Sequence, residues 1–184
     1  MTTPMRSRSA NLLLSQLACA ALFCGTLFWS GCSSMDAASK VSAEAVARMS
    51  PAPAVVTAYQ AVEYATQYVR EHPGSDFAIG SGDSMLPLYQ DHDVIILERP
   101  ALSDLKPGQT VVFMGEDGVP VAHFLVSYTS RGWSTMGLDN PAIDPERLSE
   151  GRFIGVVVKA YHPTGSPILA YSNSPAKKLL VAIP

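Results

Sequence analysis

Apolar residues follow three patterns along the chain. From Leu12 to Trp29 they are nearly continuous, interrupted only by Ser15, Gln16, Gly25 and Thr26. From Val55 to Glu71 they recur every three or four residues (Val55, Tyr59, Val62, Ala65 or Tyr68, Val69), the period of an amphipathic helix. His72-Pro73-Gly74 ends that pattern. Beyond Gly74 the chain turns to short runs rich in β-branched and aromatic residues: Phe77–Gly80, Val94–Glu98, Thr110–Met114, Val119–Tyr128, Trp133–Met136 and Arg152–His162. Turn formers separate them, among them Asp91-His92-Asp93, Lys106-Pro107-Gly108, Glu116-Asp117-Gly118, Ser130-Arg131-Gly132 and Asn140-Pro141. Strands in succession without intervening helices predict a mainly β, antiparallel or mixed domain preceded by one helix.

The first apolar run comes after Arg6 and Arg8 and is short and polar for a permanent span, so it reads as an export signal. It ends in Gly31-Cys32-Ser33-Ser34, and small residues before a cysteine resemble a lipoprotein signal in which Cys32 becomes the lipidated first residue. Residues 33–54 are rich in Ala, Ser and Pro without a sustained period and read as a tether. The expected organisation is a signal peptide at 1–31, a flexible tether at 32–54, an amphipathic helix at 55–73, a β domain at 74–162 and a turn-rich tail at 163–184. This places the domain on a bacterial cell envelope, outside the cytoplasm, with the membrane as partner through a lipid anchor.

Composition narrows the chemistry. The three cysteines are Cys19, Cys24 and Cys32, so a mature domain would hold no disulfide, no thiol nucleophile and no cysteine-based zinc site. No cofactor and no metal are expected. Of 13 basic side chains Arg6 and Arg8 fall in the signal, leaving 11 against 16 acidic ones, a formal balance of −5. That balance argues against a nucleic-acid partner.

The chemistry centres on Ser81-Gly82-Asp83-Ser84-Met85-Leu86-Pro87, between two strand-like runs. A glycine lets the backbone approach a ligand closely, and the proline stiffens the segment around it. A serine held there suits a nucleophile whose own N–H, with the neighbouring amides of Asp83 and Met85, forms an oxyanion site. A plain Gly-Ser turn has the same composition. Serine needs a base, and His72, His92 and His162 sit at element ends or in turns. His123 lies inside the apolar run Val119–Tyr128, where a half-buried imidazole needs a hydrogen-bond partner and is neutral near pH 7. A satisfied core histidine fits that position equally. Lys106 and Lys159 are less well embedded. Asp139 and Asp144, in the loop after Trp133–Met136, are carboxylates that could orient His123, or else ordinary turn and helix-cap residues.

Taken in order, Gly82-Asp83-Ser84-Met85-Leu86-Pro87, Asp93-Val94-Ile95-Ile96, Leu105–Phe113, Val121-Ala122-His123-Phe124, Gly137-Leu138-Asp139-Asn140 and Ile154-Gly155-Val156-Val157 resemble the signal peptidase I superfamily, which includes the self-cleaving repressor peptidases. The resemblance spans roughly residues 77–161. It implies the mostly β fold of that superfamily and a serine peptidase with Ser84 as nucleophile. The base position falls on His123, as in the Ser-His members. Asp144 keeps the position of a second acidic residue, whereas Leu138 stands at the usual acidic position and Phe124 where arginine usually comes after the histidine. The superfamily's supplementary oxyanion hydroxyl would fall on Gly82, leaving Ser81 as a substitute. The implied partner is a polypeptide substrate, added as a strand to an edge near Val94–Leu97 or Phe77–Ile79. Three functions are open: a membrane-anchored serine endopeptidase acting on exported or envelope polypeptides, a degenerate, non-catalytic relative that binds peptides, or, with less support because no DNA-binding segment accompanies the domain, self-processing only as in the repressor branch.

Overall fold

The computed structural model describes residues 43–165 and 180–182. Its elements are α1 (Ala43–Met49), β1 (Ala54–Thr57), α2 (Ala58–Glu71), β2 (Asp76–Ser81), β3 (Val94–Glu98), β4 (Thr110–Met114), β5 (Pro120–Thr129), β6 (Gly132–Met136), β7 (Arg147–Leu148), β8 (Phe153–Thr164) and β9 (Leu180–Ala182), with one 3-10 turn at Leu102–Asp104. The domain is mainly β, and most strand pairs are antiparallel. All six strands expected from the sequence form, each within two residues of its expected ends.

The pairings run β1-β8-β3-β2-β9-β5-β6-β7, and β4 pairs both β5 and β8. The order β8-β3-β2-β9-β5-β4 therefore returns to β8. Alternation along each strand divides the apolar residues between faces. On β3, Ile95 and Leu97 enter a central cluster with Val46, Met85, Tyr89, Val112, Phe124 and Val157. Val94 and Ile96 face the other way, onto Ala61 and Ala65 of α2. A third cluster, built on Leu102, Val111, Leu125, Trp133 and Phe153, closes the opposite flank.

Two expectations for the helix need correcting. The helix starts at Ala58, because Thr57 caps it: the Thr57 hydroxyl accepts from the Gln60 N–H, and the Gln60 side chain accepts from the Thr57 N–H. Residues 54–57 instead lie parallel to β8, with Ala54 opposite Tyr161. The buried stripe of α2 is consequently Ala58, Ala61 and Ala65, while Tyr59, expected on it, is 72% exposed.

The tether expected at 32–54 overlaps the domain, because α1 (Ala43–Met49) belongs to it. Val46 is fully buried in the central cluster. Ser50 is also buried: its hydroxyl accepts from the Thr110 N–H at 2.8 Å and lies 2.9 Å from the Gly108 carbonyl, to which it donates. One apolar side chain in an Ala-rich stretch gives almost no periodic signal, so this helix is invisible until β4 is in place to receive it. The tail also contributes, since β8 extends to Thr164 and residues 180–182 form β9. Residues 1–42, including Cys32 and the proposed signal, and 166–179 lie outside the described residues. Among those described, no helix is long and apolar enough to cross a membrane.

Replacing Ser50 by Ala strands the Thr110 N–H and the Gly108 carbonyl in the interior. Unsatisfied buried groups cost about 1–3 kcal/mol each, so with two of them Ser50→Ala should lower unfolding stability by about 2–6 kcal/mol. Urea denaturation measures it, and an unchanged midpoint would mean that α1 is not docked.

Candidate active site

β2 ends at Ser81, and Gly82 takes a φ of 106°, a conformation that favours glycine. The chain then makes tight turns: Leu86 N–H donates to the Asp83 carbonyl, and Leu88 and Tyr89 N–H both donate to the Met85 carbonyl. The Leu86–Pro87 peptide is cis. Two side chains pin this turn from beneath. Met85 and Tyr89 are fully buried, and the Tyr89 hydroxyl donates to the Pro51 carbonyl at 2.8 Å. The side chain of Met85, whose amide is the one expected near an oxyanion, is thus a core anchor, and Asp83 is exposed. Ser81 and Gly82 are partly buried at the entry to the turn.

A second loop pins the serine from the far side. The Asp139 N–H donates to the Ser84 carbonyl at 2.8 Å. Asp139 therefore contributes its backbone, while its exposed side chain is not part of the His123 network. Gly137 makes the approach possible, for a Cβ there would stand 2.9 Å from the Ser84 carbonyl and 2.6 Å from Asn140 Nδ2.

His123 sits in the middle of β5, opposite Val111 of β4. Its Nε2 lies 3.1 Å from Ser84 Oγ and its Nδ1 lies 2.7 Å from Asp144 Oδ2. A carboxylate only accepts, so the proton between them belongs to Nδ1, leaving Nε2 as the acceptor for the Ser84 hydroxyl. Ser84 and His123 are 2% and 4% exposed. The phenyl ring of Phe113 meets the imidazole edge-on at 6.2 Å between centroids.

Asp144 is held by Thr135 of β6 at two points. The Asp144 N–H donates to the Thr135 carbonyl at 2.8 Å, and the Thr135 hydroxyl donates to Asp144 Oδ2 at 2.6 Å. Burial by itself would raise the Asp144 carboxyl. The hydrogen bonds from His123 and Thr135, with the nearby charges of His123 and Arg152, outweigh it and hold the group below its ordinary value of 3.8. Sequence patterns do not single out Thr135. Its only signal is a hydroxyl inside an apolar run, which reads as ordinary strand composition.

The other candidate bases are engaged elsewhere. His72 stacks on Tyr68, with ring centroids 3.9 Å apart, and His92 lies 3.2 Å from Asp91. Lys159 Nζ sits 4.6 Å from the ring centroid of Tyr68 on the α2 side. His162 forms a second imidazole–carboxylate pair, its Nδ1 2.7 Å from Asp93 Oδ1, but its Nε2 lies 3.2 Å from the Gln90 amide nitrogen rather than from a serine. His123, by contrast, joins a carboxylate to a serine.

An oriented hydroxyl, an imidazole of the right tautomer and a carboxylate behind it are the parts of a nucleophile and its base. A family model described as Peptidase S24-like matches residues 40–158, well over half of the 184 residues. The chain belongs to the Peptidase S24-like family. The match covers α1 through the first half of β8, and so includes Ser84, His123 and Asp144. No curated protein and no solved structure matches the chain. The family includes self-cleaving repressors as well as peptidases, and the mostly β fold of this chain is the one it implies.

The lowered carboxyl gives Asp144 a pH signature. Its folded value lies below its unfolded value, so the stabilisation is complete above about pH 4 and is lost as pH falls through the folded value. The stability gap between wild type and Asp144→Asn should therefore be constant near neutrality and shrink below pH 3.8. Urea midpoints of both proteins from neutral pH down into the acid range measure it, and a gap that stays constant throughout would contradict the hydrogen bonding assigned to Asp144.

Proposed function

We propose that this S24-like domain is a serine endopeptidase of the Ser-His type. The observation that carries the reading is the 3.1 Å approach of Ser84 Oγ to His123 Nε2, with Asp144 on the opposite nitrogen. In the first step Ser84 Oγ attacks a peptide carbonyl carbon while its proton passes to His123 Nε2. The imidazolium that forms is stabilised by Asp144, whose carboxyl is already biased towards the anion. The tetrahedral oxyanion is met by the Ser84 N–H and adjoining amides, with the Ser81 hydroxyl as a further candidate donor. His123 then gives its proton to the leaving amine, the C–N bond breaks and an acyl-enzyme remains. Water attacks that ester, passes a proton to Nε2, and collapse returns the proton to Ser84 Oγ as the acid product leaves.

Membrane anchoring belongs to the same proposal. Cys32 is the lipidation candidate, and the short stretch between it and α1 would keep the domain close to a bilayer, favouring exported or envelope polypeptides as substrates. A second reading, a non-catalytic peptide-binding relative, draws on the near-complete burial of Ser84 and His123 and on Leu138 and Phe124.

A serine-directed fluorophosphonate separates the two. The wild-type protein should gain one adduct, mapped by mass spectrometry to Ser84, and Ser84→Ala none. His123→Gln should slow labelling by about 10²–10⁴-fold, the usual contribution of a general base. Labelling of Ser84→Ala at the wild-type rate, or no effect of the histidine change, would refute the hydrolase reading.

A further inference from the structure

The return of the strand order upon itself depends on β9. Among the described residues β2 and β5 do not pair with each other; β9 lies between them and pairs with both. Leu180 is opposite Ile79, Val181 opposite Gly80, and Ala182 opposite both Ser81 and Val121. Each flanking strand leads to one half of the site: β2 runs into the turn that carries Ser84, and Val121 stands two residues before His123. The gap between β2 and β5 is thus one strand wide and is bordered by two backbone edges. Main-chain edges of this kind recognise an extended polypeptide, whatever its sequence.

The direction of β9 adds to this. It is parallel to β2, so a chain lying in the slot in that sense runs towards the nucleophile turn. The edge near Val94–Leu97, expected to receive a substrate, is taken on both sides, because β3 pairs with β2 and β8. Phe77 and Ala78 likewise face β3. Two surface clefts are lined by Gly74, Glu98, Arg99 and their neighbours, and neither includes Ser84 or His123. Both dyad residues are nearly sealed, at 2% and 4% exposed.

We infer that the slot between β2 and β5 is the binding site for an extended polypeptide, and that Leu180–Ala182 is a resident segment that occupies it and holds the site closed. The inference rests on the peptidase reading for its consequence, though not for its geometry. β9 is three residues long and meets β5 at a single pairing, so an incoming strand competes with few interactions. Access to Ser84 is then governed by displacement of the chain's own segment.

The test uses a fluorescein-labelled peptide with the sequence of residues 177–184 and three proteins: the wild type, L180P/V181P, and a chain ending at Gly165. Successive strand N–H groups point to opposite edges, so the two prolines remove one donor on each side of β9. Fluorescence anisotropy should show both variants binding the peptide at least tenfold more tightly than wild type. Equal affinity for all three, or no binding by either variant, overturns the inference. So does loss of cooperative unfolding in both variants, which would make β9 an obligatory strand. Fluorophosphonate labelling of the same proteins distinguishes the two readings. Peptide capture by the variants without labelling of any protein leaves the slot assignment standing and removes the peptidase. Equal labelling of all three without tighter capture leaves the peptidase and removes the resident segment.

Discussion

The hydrogen bond from His123 Nδ1 to Asp144 Oδ2 fixes what the rest of the site can do. It selects one tautomer of a buried imidazole and so decides that the nitrogen facing Ser84 is bare. Without it the ring could present an N–H to the serine and would be useless as a base. The bond in turn depends on Thr135, whose carbonyl accepts from the Asp144 N–H and whose hydroxyl donates to the carboxylate. Thr135 pairs with Leu125, two residues along β5 from His123, so imidazole, carboxylate and clamp are set by the register of one antiparallel pair. A shift of one residue would turn His123 to the other face and dismantle all three.

Ser84 reaches this network from a different part of the chain and is positioned by different means. Its turn is anchored from beneath by Met85 and Tyr89 and from the side by the Asp139 N–H. The core is thus tied directly to Ser84. Val46, Met85, Tyr89 and Phe124 lie in one cluster, and Phe124 is the residue next to His123. Burying a polar constellation against such a cluster is tolerable only because each member has a partner. The second imidazole–carboxylate pair, His162 with Asp93, shows the contrast. There burial pushes the Asp93 carboxyl up despite its hydrogen bonds from His162 and the Gln90 N–H, and no nucleophile adjoins it.

Much of this is legible in the sequence, and the reasons are specific. The strands Val94–Glu98 and Thr110–Met114 are readable to the residue because dense β-branched runs are bounded by Pro-Gly and Asp-containing turns. Ser84 and His123 can be singled out because each residue type is unusual in its setting, a serine on a stiff turn and a histidine in an apolar strand. Asp144 shares its proline-containing loop with Asp139, and only the fold brings one of the two to the imidazole. The hidden features depend on partners distant in sequence. α1 is recognisable only through the pocket that takes Val46, and β1, β7 and β9 are too short to carry a period of their own. Asp139 illustrates a different limit. Its carboxylate suggests chemistry, whereas its amide is what the fold uses. Gly137, which passes for turn filler, is what lets that amide approach Ser84.

The central claim is that the fold leaves the Nε2 of His123 free to take a proton from Ser84. ¹⁵N NMR of the neutral imidazole tests it directly, because protonated and bare ring nitrogens resonate far apart. The account predicts a protonated Nδ1 and a bare Nε2 in the wild-type protein, with that preference lost in Asp144→Asn. A His123 ring carrying its proton on Nε2 would contradict it, for that nitrogen could then only donate to the serine.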